Sequence, residues 1–481
     1  MADPHGLRGA GKCPAIRNAG DSKFARRKPA WRLGRPAQLA LMVATLLAPD
    51  FAQAVLSAHQ QRGEKIVDIP VAGRNAEVCV IPKHFAGGDY SKRDGKVETK
   101  LCDIDVYTNA AVCPKLNSTN PGLDFYSLPQ GSTSEQVEAA RCATAGAKKI
   151  AKYKLSTSCS YTPSILGYYH LSRMLGGIAD VPPAVLRTFD LNNHIAIGRK
   201  ALARTKSGSL IHITWSGLVS QLTAGAHAKR RDVLLTDDFA QSYGALSENP
   251  TKESFYKEFF NGGGNNVARA RNFRDNNPIV RMLARKEAVG ALVGQAFTAD
   301  NVQKMVQLKD AADMIVIDTL TNQQDRFGNI HYLTSYYYLD ANDRGEDGSV
   351  KLKSTKSLTP EEATQLGAVQ VKTMLLKDND CGVAKDNIAK QANLAGRIAH
   401  IDPKTYRGIL HFDAIADSAD TKNFFERELV FTAEDYASVR KNLKDLATKL
   451  HQACLQGRLK LDLDLQAHFS NKPLRAQSCD L

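Results

Sequence analysis

The clearest periodic signal in the chain is a strict alternation over 148–155, KKIAKYKL. It sets Ile150, Lys152 and Lys154 on one face and Ala151, Tyr153 and Leu155 on the other. A period of two predicts a β-strand, here one carrying two lysines on the same side. Short apolar runs over 65–71, 76–81 and 104–108, broken by turns such as Gly87-Gly88-Asp89, predict a small sheet ahead of it. A loop over 117–134, rich in Ser, Thr, Pro and Gly, leads to Ser134, the expected cap of a helix over 135–144. The spacing of Ile165, Tyr168, Tyr169, Leu171 and Leu175 predicts a helix over 163–175 that stops at Gly176-Gly177. Val181-Pro182-Pro183 then forces extended chain into a strand over 184–189.

From about residue 194 the apolar period becomes helical, with helices expected over 218–222, 252–260, 277–288, 298–308 and 311–320. Strands are expected over 331–339 and 368–376, with a polar insertion over 341–367 between them. The remainder reads as helical, and over 432–455 Leu443, Leu446, Leu450 and Leu455 form an expected buried stripe. The pattern implies an α+β chain: a sheet-rich N-lobe over 55–193 and a mainly helical C-lobe over 194–481. The Gly262-Gly263-Gly264 run is no P-loop, because no strand precedes it and no Lys-Ser or Lys-Thr pair follows.

Candidate chemistry concentrates in the segment 313–331, DMIVIDTLTNQQDRFGNIH. An apolar helical run carrying Asp318 gives way to a loop that places Asp325, Arg326 and Asn329 close together, and a strand follows at once. Phosphoryl transfer needs a carboxylate near the attacking hydroxyl and an oxygen ligand for a metal close by, and this loop offers both residue types. The other reading of the same loop is a turn closed by an ion pair. The strand over 368–376 runs into Lys377-Asp378-Asn379-Asp380-Cys381, a second acidic turn.

Length and composition narrow the setting. At 481 residues and 43% hydrophobic, the chain is long enough for a large core. A basic region (Arg26, Arg27, Lys28, Arg32, Arg35), an apolar run over 39–48 and Ala52-Gln53-Ala54 predict a secretory signal over 1–54. The expected location is therefore periplasmic or secreted, with no integral membrane segment after the signal is removed. Beyond it stand Cys79, Cys102, Cys113, Cys142, Cys159, Cys381, Cys454 and Cys479, an even number that fits up to four disulfides in an oxidising compartment. Residues 1–54 hold nine Lys or Arg against three Asp, so +6 of the +14 net charge lies there and +8 remains. That mild bias favours anionic partners. Nucleic acid is not expected, because the one tight basic run, Lys229-Arg230-Arg231, has no aromatic neighbours on which bases could stack.

Taken in order, the lysine-bearing strand, the 163–175 helix, Val181-Pro182-Pro183, the Asp325/Asn329 loop and the Asp378-Asn379 strand end resemble the atypical kinase-like fold. That fold is shared by phosphatidylinositol 3- and 4-kinases, HipA-type and CotH-type kinases and the secretory-pathway kinases. Leu171-Ser172-Arg173-Met174-Leu175-Gly176 followed by Val181-Pro182-Pro183 is similar to their segment after the αC helix. Asp318, Asp325, Arg326 and Asn329 are similar to their catalytic loop. The resemblance implies Asp325 as catalytic base, Asp378 and Asn329 as metal ligands, and Lys152 or Lys154 as the lysine on the phosphates. The implied cofactors are ATP with magnesium or manganese, and the implied partner is an acceptor hydroxyl on protein, carbohydrate or lipid. Three departures stand against it. Asn329 is four rather than five positions after Asp325, with Ile330 in the expected place. Ser164 to Gly167 occupy the stretch where a lysine-pairing acid belongs, leaving Glu135 or Glu138 to substitute. Asp325 and Asp378 lie 53 positions apart, a long separation that the polar insertion accounts for. An inactive pseudokinase serving as a secreted binding module is the alternative.

Overall fold

The computed structural model describes residues 65–224, 235–236, 239–260, 263–346, 348–470 and 478–480, so the expected signal over 1–54 and the basic run at 229–231 lie outside it. The first part of the chain supplies β1 (Lys65–Ile69), β2 (Glu77–Ile81), α1 (Lys92–Cys102), β3 (Ala110–Pro114), β4 (Leu123–Ser127), α2 (Ser134–Ala139), β5 (Lys149–Lys154), α3 (Thr162–Met174) and β6 (Ala184–Asp190). Next come α4 (Leu191–Arg204), α5 (Leu210–Ala224) and β7 (Gln241–Glu248). The strands β1 to β7 form one antiparallel sheet in the order β1-β2-β6-β7-β5-β4-β3. Because β7 lies between β5 and β6, the sheet draws on chain as far as Glu248, well past the boundary that the change of period suggested at residue 193.

Both faces of this sheet are buried. On one face Cys79, Val112, Phe125, Tyr153, Phe189 and Leu246 pack against Ile197, Trp215 and Leu218 of α4 and α5. On the other, Val78, Val80, Leu186 and Ala245 join α3 to the large core of the helical part. Every residue of α3 is buried, which explains its weak amphipathic pattern: it has no solvent face to mark with polar residues.

The remaining strands and α-helices are β8 (Ser254–Phe255), α6 (Asn266–Asn276), α7 (Pro278–Leu283), α8 (Val289–Val293), α9 (Ala299–Leu320), β9 (His331–Arg344), β10 (Val350–Thr355), α10 (Pro360–Gln365), β11 (Val369–Leu375), α11 (Ile388–Gln391), α12 (Pro403–Ile415), α13 (Ala419–Asn423), α14 (Ala433–Leu455) and α15 (Leu465–Phe469). The two helices expected over 298–320 are one, capped by the Thr298 hydroxyl. Three of the last four strands form the sheet β10-β9-β11, and β8 also pairs with β9. The supposed insertion is thus partly a hairpin extending this sheet.

Some local expectations fail for identifiable reasons. The 104–108 stretch is a turn in which the Asp105 carboxylate accepts from Tyr107 N and Thr108 Oγ1, so the strand falls at Ala110–Pro114 instead. Thr133, not Ser134, caps α2, in a capping box with Gln136. Leu455 is 61% exposed; the buried position at that end of α14 is Cys454.

Four disulfides are present among the described residues: Cys79–Cys102, Cys113–Cys142, Cys159–Cys381 and Cys454–Cys479. The third spans 222 residues and ties the β5–α3 connection to the turn after β11. Among the described residues no helix is long and apolar enough to cross a membrane.

Candidate active site

The strand β5 is held by ladders on both sides, to β4 and β7, so the direction of its side chains is fixed. Ala151, Tyr153 and Leu155 fill the core under α4 and α5. Lys152 and Lys154 therefore point the other way, toward the helical part. Lys152 Nζ donates to Asp378 Oδ1 at 3.3 Å. Lys154 Nζ donates to Asp380 Oδ2 at 3.0 Å and to Asn120 O at 3.3 Å.

The two acids sit on the turn that follows β11. Asp378 has left-handed backbone (φ 55°, ψ 49°), a conformation that Asp tolerates better than most residues but that still needs support from its surroundings. Arg326 supplies much of it. Its Nη1 donates to Lys377 O at 2.8 Å and its Nη2 to Asn379 Oδ1 at 2.7 Å. Ser164 Oγ of α3 adds a bond to Asn379 O at 2.6 Å, and Asn379 Nδ2 donates to Leu376 O. Close packing follows: a Cβ at Gly382 would stand 2.5 Å from Ser164 Oγ. Asn379 thus has both halves of its amide committed to the turn.

Arg326 is itself anchored. It forms a two-pronged pair with Asp318, Nε to Oδ2 at 2.9 Å and Nη2 to Oδ1 at 3.0 Å, and Tyr168 OH donates to Asp318 Oδ1 at 2.7 Å. All three side chains are buried, and the neighbouring acid holds the Arg326 guanidinium above its usual range against the effect of burial. Asp318 therefore braces the loop from beneath and does not face the cavity.

Lys152, Lys154, Asp325, Asn329, Asp378 and Asp380 all line one cavity of about 420 Å³. Asp325 is oriented by its backbone N–H, which donates to Gln323 Oε1 at 3.0 Å. Asn329 N donates to Arg326 O at 3.0 Å, closing the tight loop, while Ile330 is buried in the core. Five further residues on the cavity wall carry no strong signal in the sequence. Lys115 follows β3, Asn120 lies in the β3–β4 loop, Lys149 begins β5, Glu253 precedes β8, and Lys377 precedes Asp378. Glu253 pairs with Lys377, and Lys149 with Asp124 at 2.7 Å. Asn120 Nδ2 donates to Asp380 Oδ2 at 3.3 Å and lies 3.1 Å from Cys159 Sγ, so the interlobe disulfide forms one wall.

The expected substitute acids, Glu135 and Glu138, do not reach this place. They line a separate cavity of about 550 Å³ on the sheet part, where Glu138 pairs with Lys200 at 3.2 Å. Lys152 and Lys154 pair instead with Asp378 and Asp380, and the glutamate on the cavity wall, Glu253, lies in a stretch that the sequence pattern assigned to a helix and pairs with Lys377.

The electrostatics follow from burial and crowding. Burial alone would raise the Asp378 carboxyl, but Lys152, Lys115, Lys377 and Lys154 outweigh it and hold Asp378 well below the ordinary carboxylate range. Asp380 is also lowered, burial being outweighed chiefly by Lys154. Asp325 goes the other way: burial raises its carboxyl, and the charge of Asp380 raises it further. Lys115 falls to about 7, first through burial and then through repulsion by Lys154.

The donors suit a hard divalent cation: three carboxylates and an amide, with Asp325 and Asp380 close enough to oppose each other's ionisation. Among the described residues no three His, Cys, Asp or Glu side chains close around one point, so ligand phosphates and water would complete such a shell, as is usual for magnesium.

The chain is a mixed α+β protein with a sheet-rich part, a helical part and an acid- and lysine-lined cavity between them. No family model and no curated protein matches it. Among solved structures it is similar to the Golgi casein kinase with Mn/ADP bound, at 10% identity and a TM-score of 0.39 over 75% of this chain and 76% of that one. It is also similar to hydra Fam20 with sugar, at 11% identity and a TM-score of 0.38 over 77% of this chain and 93% of that one. Identity at that level assigns no residue a role.

Proposed function

We propose that the chain is an exported, metal-dependent phosphotransferase that moves a phosphoryl group from ATP to a hydroxyl on a protein, carbohydrate or lipid. The observation that carries this reading is the meeting of Lys152 and Lys154, from the sheet, with Asp325, Asp378 and Asp380, from the helical part, on one cavity. Phosphoryl transfer asks a protein for alignment and charge neutralisation more than for covalent chemistry, and this is a sufficient set of groups for both.

In this reading Asp378 and Asp380 hold the cation, and Asn329 lines the same cavity as a further oxygen donor. A divalent cation bound there would neutralise the donor phosphates. Lys152 and Lys154 exchange part of their pairing with the acids for phosphate oxygens. Asp325 orients the acceptor hydroxyl and takes its proton on a carboxylate oxygen, a role that its raised proton affinity favours over an ordinary surface Asp. Arg326 and Asp318 keep Asp325 and Asp378 in register without touching substrate.

The test is manganese- or magnesium-dependent nucleotide binding together with phosphoryl transfer to a panel of acceptors. Asp325→Ala and Asp378→Ala should both abolish transfer while leaving the circular dichroism unchanged. A wild-type protein that binds metal and nucleotide but transfers nothing, at any acceptor, would be the binding module instead. Full activity in Asp378→Ala would remove the assignment.

A further inference from the structure

The cavity is unlike an ordinary small-molecule pocket. Such pockets are lined mainly by apolar and aromatic side chains, which a nucleobase needs for stacking. Here, among the described residues, the wall is polar apart from Cys381, whose sulfur is in a disulfide. The adjoining recess that does reach apolar groups, Ile165 and Pro182, has a volume of about 30 Å³, room for about two water molecules. The exposed rings Phe255 and Phe260 pack on each other outside the lining; among the described residues the single ring on the wall is that of His331, which stands nearly perpendicular to Phe255.

The cations tell the same story. Lys149, Lys152, Lys154 and Lys377 each pair with an acid. Lys115 does not: its ammonium makes no hydrogen bond or ion pair among the described residues, although only 8% of the residue is exposed and it lines the cavity. An ammonium on the cavity wall that no acid holds by a hydrogen bond is free to take an anion, whose arrival would favour its charged form. The β3–β4 loop beside it adds Ser118, Thr119 and Asn120, hydrogen-bonding groups with no apolar surface to offer a base.

We infer that the donor is recognised through its triphosphate chain, with Lys115 as a phosphate-binding residue, and that the base contributes little, so that ATP, GTP and inorganic tripolyphosphate are bound alike. This rests on the phosphotransferase reading and specifies its donor. The experiment is calorimetry of the whole chain with manganese and each of the three ligands, repeated with Lys115→Met and Lys115→Arg. The three dissociation constants should agree within tenfold. Lys115→Met should weaken all three by tenfold or more and by similar factors, and Lys115→Arg should restore most of the loss. Preference for ATP over tripolyphosphate by tenfold or more would overturn the inference and leave the phosphotransferase standing, as would unchanged binding in Lys115→Met. Failure of all three ligands to bind the wild-type chain would overturn both.

Discussion

Lys152 and Asp378 are 226 positions apart in the sequence and 3.3 Å apart in the fold, one on an inner strand of a seven-stranded sheet and the other on the turn that follows a strand of a second sheet. Each is more than three-quarters buried at the side chain. The pair is unequal in its surroundings: without Lys152, Asp378 still has Lys115, Lys377 and Lys154 about it, whereas Lys152 without Asp378 keeps only more distant acids. Asp378→Ala should therefore cost about 3 kcal/mol of stability, at the low end of the range for breaking buried pairs, and Lys152→Met clearly less. Urea denaturation of the two variants checks the order, which reverses if Lys152 is the dominant partner.

Arg326 and Asp318 yield a separate expectation. Arg326 satisfies two backbone or side-chain groups of the Asp378 turn and two oxygens of Asp318 at once. Arg326→Lys keeps the charge but cannot reproduce the fork. It should lose about 2–4 kcal/mol in chemical denaturation and lower transfer at saturating donor, while the Kd for a triphosphate changes little.

Asp310 gives the pH dependence of stability. Burial pushes its carboxyl up to about 8, against the lowering effect of Met374 N, which donates to Oδ2 at 2.8 Å. A carboxyl whose folded value lies above its unfolded value favours the folded state while protonated. Its contribution is full below about pH 4, the unfolded value, and is lost as pH rises toward 8. Asp310→Asn keeps an acceptor for Met374 N and does not ionise. Its thermal midpoint should exceed that of the wild type at pH 8 and approach it at pH 5; equal differences at both pH values would refute the account.

The Cys159–Cys381 disulfide closes a long loop and forms a wall of the cavity, with Asn120 between it and Asp380. Cys159→Ser/Cys381→Ser should cost about 2–5 kcal/mol and weaken metal–triphosphate binding. The Cys454–Cys479 pair, at the far end of α14, serves as control: removing it should lower stability without affecting that binding.

The part of the site written in local pattern was legible in the sequence. Alternation placed Lys152 and Lys154 on one face of β5, and the change from apolar helix to polar loop located Asp325. What was missed depends on chain pairing at long range. Glu253 and Lys115 carry no periodic or motif signal, and reach the cavity only because β8 pairs with β9 and β3 with β4. The helix α1 was concealed by its composition, KRDGKVETKLC, with a glycine inside; its legible mark was the capping box of Ser91 and Asp94. The resemblance grouped Asp318 with the loop that carries Asp325, yet helix geometry turns Asp318 inward to Arg326.

The strand order also sets a timetable for assembly as the polypeptide emerges. Without β7, β6 has only β2 beside it and β5 has only β4, leaving two unjoined halves, β1-β2-β6 and β3-β4-β5, each with an open edge. The seventh strand stitches them together, so no part of the sheet is complete until Glu248 has appeared. Only when Cys381 follows can the two lysines meet their acids. Until nearly four-fifths of the chain has been made, the cavity lined by Lys152, Lys154, Asp378 and Asp380 cannot form.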